Sequence, residues 1–144
     1  GDRIVLAGSP CADVLLELEA RDGAIPAGSA VLVHTGWDAH YADPRRYLGD
    51  GAVAFPGLAC DAAELLVARR ATGIGIDTLS VDPGSSTDHP VHRTVLPAGI
   101  WQLEGLVGLE QVPARGAWLV AAPLLLVDGS GAPARVFAIL PADG

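Results

Sequence analysis

The chain has 144 residues, a length that suits one domain. Nine cations, all arginine, stand against seventeen acidic residues for a net charge of −8. That balance excludes sequence-independent nucleic-acid binding, which needs a basic face to displace phosphate counterions, and it disfavours anionic membrane surfaces for the same reason. Half the residues are hydrophobic and only 18% are charged, so the chain can bury a core rather than remain disordered.

Cys11 and Cys60 lie far apart without CxxC spacing, which offers neither a disulfide framework nor a thiolate metal site and suits a reducing compartment. Asp2 and Arg3 precede only a short apolar run, unlike a signal peptide. The longest apolar stretch, Gly116 to Val127, is broken by Pro123 and falls short of the roughly 20 residues that span a bilayer. The expectation is a soluble cytoplasmic protein. The absence of Met fits either a removed initiator or a chain that begins partway through a longer one.

In chain order, Ile4 to Ala7 reads as a short buried strand. Ser9 and Pro10 supply a cap and first-turn residue for a helix, with Asp13 as a second candidate cap. Cys11, Leu15 and Leu18 share one face of that helix, and Gly23 ends it. Ile25 to Gly28 is turn chemistry, and Ala30 to His34 is a buried strand. A long polar and aromatic loop runs from Thr35 to about Leu58. Asp61 and Glu64 form a capping box for a helix that runs to Arg69 and Arg70. Gly73 to Ile76 is a second buried strand, ending at Asp77 and followed by a Gly/Ser/Asp/Pro loop to Pro90. Val91 to Leu96 opens a short helix, and Ile100 to Leu103, Ala117 to Leu126 and Arg135 to Leu140 read as strands. Strands alternating with helices predict an α/β or α+β layered domain over residues 1–144, with no repeat and no internal boundary.

Three constellations bear on chemistry. Asp82 to Thr87 follows a strand as phosphate loops do, but it lacks the phosphate-loop pattern, and the chain has no Lys. Ser85, Ser86, Asp88 and His89 crowd together without a Gly-x-Ser-x-Gly elbow, so a nucleophilic triad is not expected. The four histidines, His34, His40, His89 and His92, lie at loop edges. His34, Asp38 and His40 resemble a metal triad on paper, but a strand-end His and a solvated loop His explain them better. His92 is the stronger candidate, trailed twelve residues later by Glu104 inside an apolar run. A lone carboxylate there must be paired, hydrogen-bonded or metal-bound. Spacing alone leaves a metal ligand pair and a neutral His bonded to a carboxylate both open.

The run from Gly73 through Asp77, Asp82, Gly84, Ser86, Asp88, Pro90 and His92 to Arg93, with Leu103-Glu104-Gly105-Leu106 beyond it, resembles the cyclase family of metal-dependent hydrolases. That family includes bacterial kynurenine formamidase and isatin hydrolase. Ile25-Pro-Ala-Gly28, Val33 to Asp38, Phe55-Pro-Gly57 and Gly129 to Val136 add support. The resemblance implies a swivelling β/β/α sandwich and an oligomer that binds Zn²⁺ or Mn²⁺. It implies hydrolysis of an amide C–N bond in a small, often aromatic substrate, as in tryptophan catabolism. The family's late metal ligands fall on His92 and Glu104. Asp77 and Asp82 sit where residues orient such ligands or cap loops, beside Asp88 and His89. Trp37 and Tyr41 would line a pocket, line an interface or simply pack.

The family's early His-x-Gly-Thr-His-x-Asp motif, which carries further ligands and the catalytic His, does not occur here. The segment from His34 to His40 echoes that motif but corresponds to a later strand and loop, so it is expected to hold no metal. The expectation is therefore the C-terminal portion of such a hydrolase, N-terminally truncated, with exposed apolar strand surface and little activity of its own. A non-catalytic relative and a ring-opening hydrolase of the isatin type are the alternatives.

Overall fold

The structure is a computed structural model that describes the backbone of residues 5–6 and all of residues 10–141. Strand β1 (Val5–Leu6) leads to helix α1 (Ala12–Asp22), strand β2 (Ala30–Val33) and a 3₁₀ turn (Trp37–His40). Helices α2 (Pro44–Tyr47) and α3 (Cys60–Ala68), strand β3 (Gly73–Ile76), helix α4 (Pro90–Val95) and strand β4 (Trp101–Leu103) follow. A 3₁₀ turn (Leu109–Gln111) precedes the hairpin β5 (Trp118–Pro123) and β6 (Ala134–Ile139).

Strands β1 to β4 form one parallel sheet in sequential order. Parallel sheets need cover on both faces, and the side-chain alternation of β2 and β3 provides for it. Val31, Val33, Ile74 and Ile76 face α1 and α3, where they meet Leu15, Leu18, Ala62, Ala63 and Leu66 in the main core. Leu32 faces the other way and meets Leu106 and Leu109, against which Leu103, Leu119 and Val136 pack. On that second face β3 carries only glycine. A Cβ on Gly73 would stand 2.3 Å from the Trp101 ring, and one on Gly75 would stand 2.4 Å from Leu32 Cδ2. The Gly-Ile-Gly-Ile pattern thus makes room for the indole and for Leu106.

Several local expectations shift. Asp61 does not cap α3: Ala59 holds the cap position with no side-chain bond, and Asp61 lies in the first turn, accepting from Ala62 N–H at 2.7 Å. Cys11 holds the cap position of α1, and the expected cap Ser9 lies outside the described residues. The loop after β2 contains helix α2, capped by Asp43, whose side chain accepts from Arg45 and Arg46 N–H. Strand β5 stops at Pro123, short of the expected Leu126, although Leu124 N–H still donates to the Pro133 carbonyl.

Glu19 on α1 ties the two outer helices together. Its carboxylate accepts from Arg69 Nε and Nη2, both at 2.7 Å, and from Ile25 N–H at 2.9 Å. The Arg69 hydrogen bonds hold its pKa below the ordinary 4.5 against the opposing effect of burial. A carboxyl group depressed in the fold contributes stability that is complete above its unfolded pKa and is lost as pH falls through the folded value. Glu19→Gln should therefore lower the melting temperature at neutral pH and flatten its fall on acidification. A pH series of thermal melts reads both, and parallel curves for the two proteins would refute the assignment. Leu66, fully buried between α3 and the sheet, should cost about 2–5 kcal/mol on truncation to Ala, measured by urea unfolding.

Candidate metal centre

The carboxyl ends of parallel strands converge at one edge of the sheet, where open α/β sheets bind ligands. Here β2 runs into His34, β3 into Asp77 and β4 into Glu104. The loop after β3 then turns back and starts α4 with Pro90.

Asp82 organises that loop. It is 1% exposed, and its carboxylate accepts from Val91 N–H at 2.8 Å, His92 N–H at 3.1 Å and His92 Nδ1 at 2.6 Å. An ionised carboxylate only accepts, so Nδ1 carries a proton, and in the neutral form of the ring Nε2 presents a lone pair. That Nε2 lies 3.5 Å from Glu104 Oε1, which itself accepts from Val81 N–H at 3.0 Å. The second oxygen of Glu104 has no partner among the described residues. The result is a fixed imidazole and a half-held carboxylate facing each other. Both line a cavity of about 910 Å³ together with Tyr41, Leu103, Arg135 and Phe137.

His89 stays beside the pair, with one ligand atom each of Asp82, His89 and His92 within 4.8 Å of one another, while the remaining candidates separate. His89, with φ at +49°, occupies the cap position of α4, and its ring stands edge-on to that of His92 with centroids 5.9 Å apart. Its N–H donates to Ser86 Oγ; among the described residues no Ser–His–Asp relay forms. Asp88 is exposed and bonds to no described residue. Asp77 is fully buried away from His92 and accepts from Thr35 N–H, Thr35 Oγ1 and Trp37 N–H, so it shapes the loop after β2. Trp37 does not line the cavity; its Nε1 donates to the Tyr47 carbonyl, while Tyr41 does line it. His34 and Asp38 meet each other and Asp77, but His40 leaves them and packs against the Trp37 ring.

Tyr47 was not singled out from the sequence. Its phenol donates to the Asp77 carbonyl at 3.0 Å, and burial followed by the Asp77 charge pushes its pKa to about 12, so it remains a donor. The only hint was a tyrosine inside a polar loop.

The cyclase family model matches residues 8–83. The chain belongs to the cyclase family. Among its relatives, isatin hydrolase of Roseibium aggregatum is 32% identical over 136 residues, which is 90% of this chain and 52% of that protein. Kynurenine formamidase of Salinibacter ruber is 50% identical over 62 residues, 43% of this chain and 29% of that protein. A crystal structure of an isatin hydrolase bound to the product analogue thioisatinate superposes with a TM-score of 0.91 and 29% identity. That superposition covers 98% of this chain and 60% of the other. The structure of a potential metal-dependent hydrolase with cyclase activity matches at a TM-score of 0.73 and 31% identity, over 94% of this chain and 63% of the other. The chain thus spans about half the length of the first of these relatives and has the α/β cyclase fold expected from its motifs.

In Asp82→Asn an amide NH₂ competes for the same space, so the Nε2–H tautomer of His92 should gain population, visible in ¹⁵N NMR of the ring. Loss of such a partner typically weakens metal binding by about 10–100-fold, which chelator competition with Zn²⁺ can measure. An unchanged tautomer and affinity would show that Asp82 does not orient His92.

Proposed function

We propose that this chain contributes to a metal-dependent hydrolase that cleaves an amide C–N bond of a small substrate, in the manner of an arylformamidase. One observation carries the reading: the Asp82–His92–Glu104 arrangement at the carboxyl ends of the sheet, open to the cavity. One imidazole nitrogen and one carboxylate oxygen are the donor types that Zn²⁺ and Mn²⁺ accept, and the buried Asp82 behind the imidazole is the support that metal-bound histidines have. When bound, such an ion lowers the pKa of coordinated water toward neutrality and polarises a carbonyl.

The residues of this chain then have separate tasks. Asp82 fixes the ring plane and tautomer of His92. His92 Nε2 and Glu104 hold the ion from one wall. Tyr41, exposed on the same cavity, offers a flat apolar surface to the substrate. Two donors are fewer than the three protein ligands of a catalytic zinc site, so residues 1–144 alone should hold the ion weakly and turn over little. Residues 1–144 acting as one domain of a cytoplasmic homo-oligomer belong to the same reading, supported by the apolar hairpin face at Trp118, Phe137 and Ile139.

A second reading is ring opening of a cyclic amide. It is favoured by the extent of the isatin hydrolase match, 90% of this chain against 43% for the formamidase of Salinibacter ruber.

The test uses the gene product that contains these residues, with metal content by elemental analysis and turnover of an N-formyl aromatic amine and of isatin. His92→Gln and Glu104→Gln should each lower the bound metal and reduce turnover at least 100-fold. Unchanged metal content in both variants would overturn the site. A product that binds no metal and turns over neither substrate would instead support a non-catalytic relative.

A further inference from the structure

His34, Asp38 and Asp77 form a second constellation that shares no residue with the His92–Glu104 pair. His34 Nε2 lies 3.4 Å from Asp38 Oδ1 and 4.0 Å from Asp77 Oδ2. One donor atom from each of the three lies within 4.8 Å of the others. Asp77 is fully buried, and the side chains of Asp38 and His34 are 12% and 23% exposed.

The hydrogen bonds around the cluster leave those atoms open. Asp38 Oδ2 accepts from Gly108 N–H at 3.1 Å. Asp77 Oδ1 is taken by Thr35 N–H and Thr35 Oγ1, and Oδ2 accepts one bond, from Trp37 N–H. Among the described residues neither His34 Nε2 nor Asp38 Oδ1 makes a hydrogen bond, although they face each other. A nitrogen, a carboxylate oxygen and an Asp77 oxygen with one lone pair still open therefore lie together.

Charge and spacing decide what fits there. Two carboxylates and one imidazolium leave a negative charge in a mostly buried place. Two carboxylates, one neutral imidazole and a divalent cation sum to zero. Donors bound to one ion at about 2.0–2.2 Å stand roughly 3–4 Å apart, and His34 Nε2 stands 3.4 Å and 4.0 Å from the two carboxylate oxygens. We infer that His34 Nε2, Asp38 Oδ1 and Asp77 Oδ2 bind a divalent first-row cation, tying the end of β2, the following 3₁₀ turn and the end of β3. One nitrogen with two oxygens suits Zn²⁺, Mn²⁺ or Co²⁺. Asp77, not His40, completes the set, so the His34 segment holds the ion through the end of β3 rather than through the motif it echoes.

The experiment titrates Co²⁺ alone into the 144-residue chain carrying His92→Gln and Glu104→Gln, which removes the other pair. One ion per chain is expected, with visible absorption and a raised melting temperature. Adding His34→Gln or Asp38→Asn should weaken binding at least tenfold and abolish the thermal shift. A chain shown to be folded by circular dichroism that takes up no Co²⁺, or whose uptake neither variant weakens, overturns the inference. The same two substitutions in the otherwise unchanged chain are a second measure. Each should lower the Co²⁺ stoichiometry by one, and an unchanged stoichiometry overturns the inference there too. Retention of this ion with loss of any His92 dependence would count against the proposed hydrolase site only.

Discussion

A buried carboxylate is costly unless its lone pairs are filled, and Asp82 fills them with three donors that lie nine and ten residues further along the chain. Helix α4 begins with Pro90, which has no N–H to satisfy, so the next two amides, of Val91 and His92, are the first that need acceptors. Asp82 supplies both, and the same carboxylate reaches the imidazole. One interaction thus ends a loop, starts a helix and orients a ring. The loop that presents Asp82 is itself clamped, because Leu58 N–H donates to the Val81 carbonyl and Gly84 N–H donates to the Phe55 carbonyl. Gly57 makes that clamp possible: a Cβ there would stand 2.3 Å from Pro83 N and 2.7 Å from Val81 O.

The parallel register explains why the polar groups gather. Val33 pairs with Ile76 and Gly75 pairs with Leu103, so the next residues on neighbouring strands leave the sheet close to the same level. Each strand is apolar up to that level and polar just beyond it. The backbone carries the alignment further: Gly105 N–H donates to the Thr78 carbonyl and Leu106 N–H to the Ile76 carbonyl, which holds the two residues after Glu104 against the end of β3.

Periodicity and punctuation made most of the secondary structure legible. The runs at Ala30 and Gly73 are short, apolar and bounded by turn residues, and both are strands. Local signals misled where tertiary partners took over. Asp61 and Glu64 have the spacing of a capping box, yet the chain enters α3 two residues earlier, where Ala59 N–H already donates to the Pro10 carbonyl. The pairing of His92 with Glu104 was open on spacing, because a contact across twelve residues depends on how α4 packs beside β4. The cluster around Asp77 was hidden for the same reason: its donors lie about forty residues away, and no local pattern links them. Asp43-Pro44 was a readable helix start inside a segment whose polarity suggested only loop.

The two faces of the sheet are unequally built. On the helical side sixteen buried residues form one continuous core; on the hairpin side the corresponding cluster among the described residues has three. The hairpin tip leaves Leu125 98% and Val127 94% exposed, and the outer face leaves Trp118 67% exposed. Apolar surface on that scale marks a face built to be covered. Because the helical side contributes most of the buried area, it contributes most of the rigidity. His92 stands on α4, whose Val91 and Val95 are fully buried in that larger core, and Glu104 follows β4 directly. Asp82 sits next to Val81, which belongs to the same core. Asp82, His92 and Glu104 are therefore held from the well-packed side. The hairpin closes the opposite wall of the cavity with Leu119, Val136 and Phe137 beside Arg135, none of them a metal-ligating side chain.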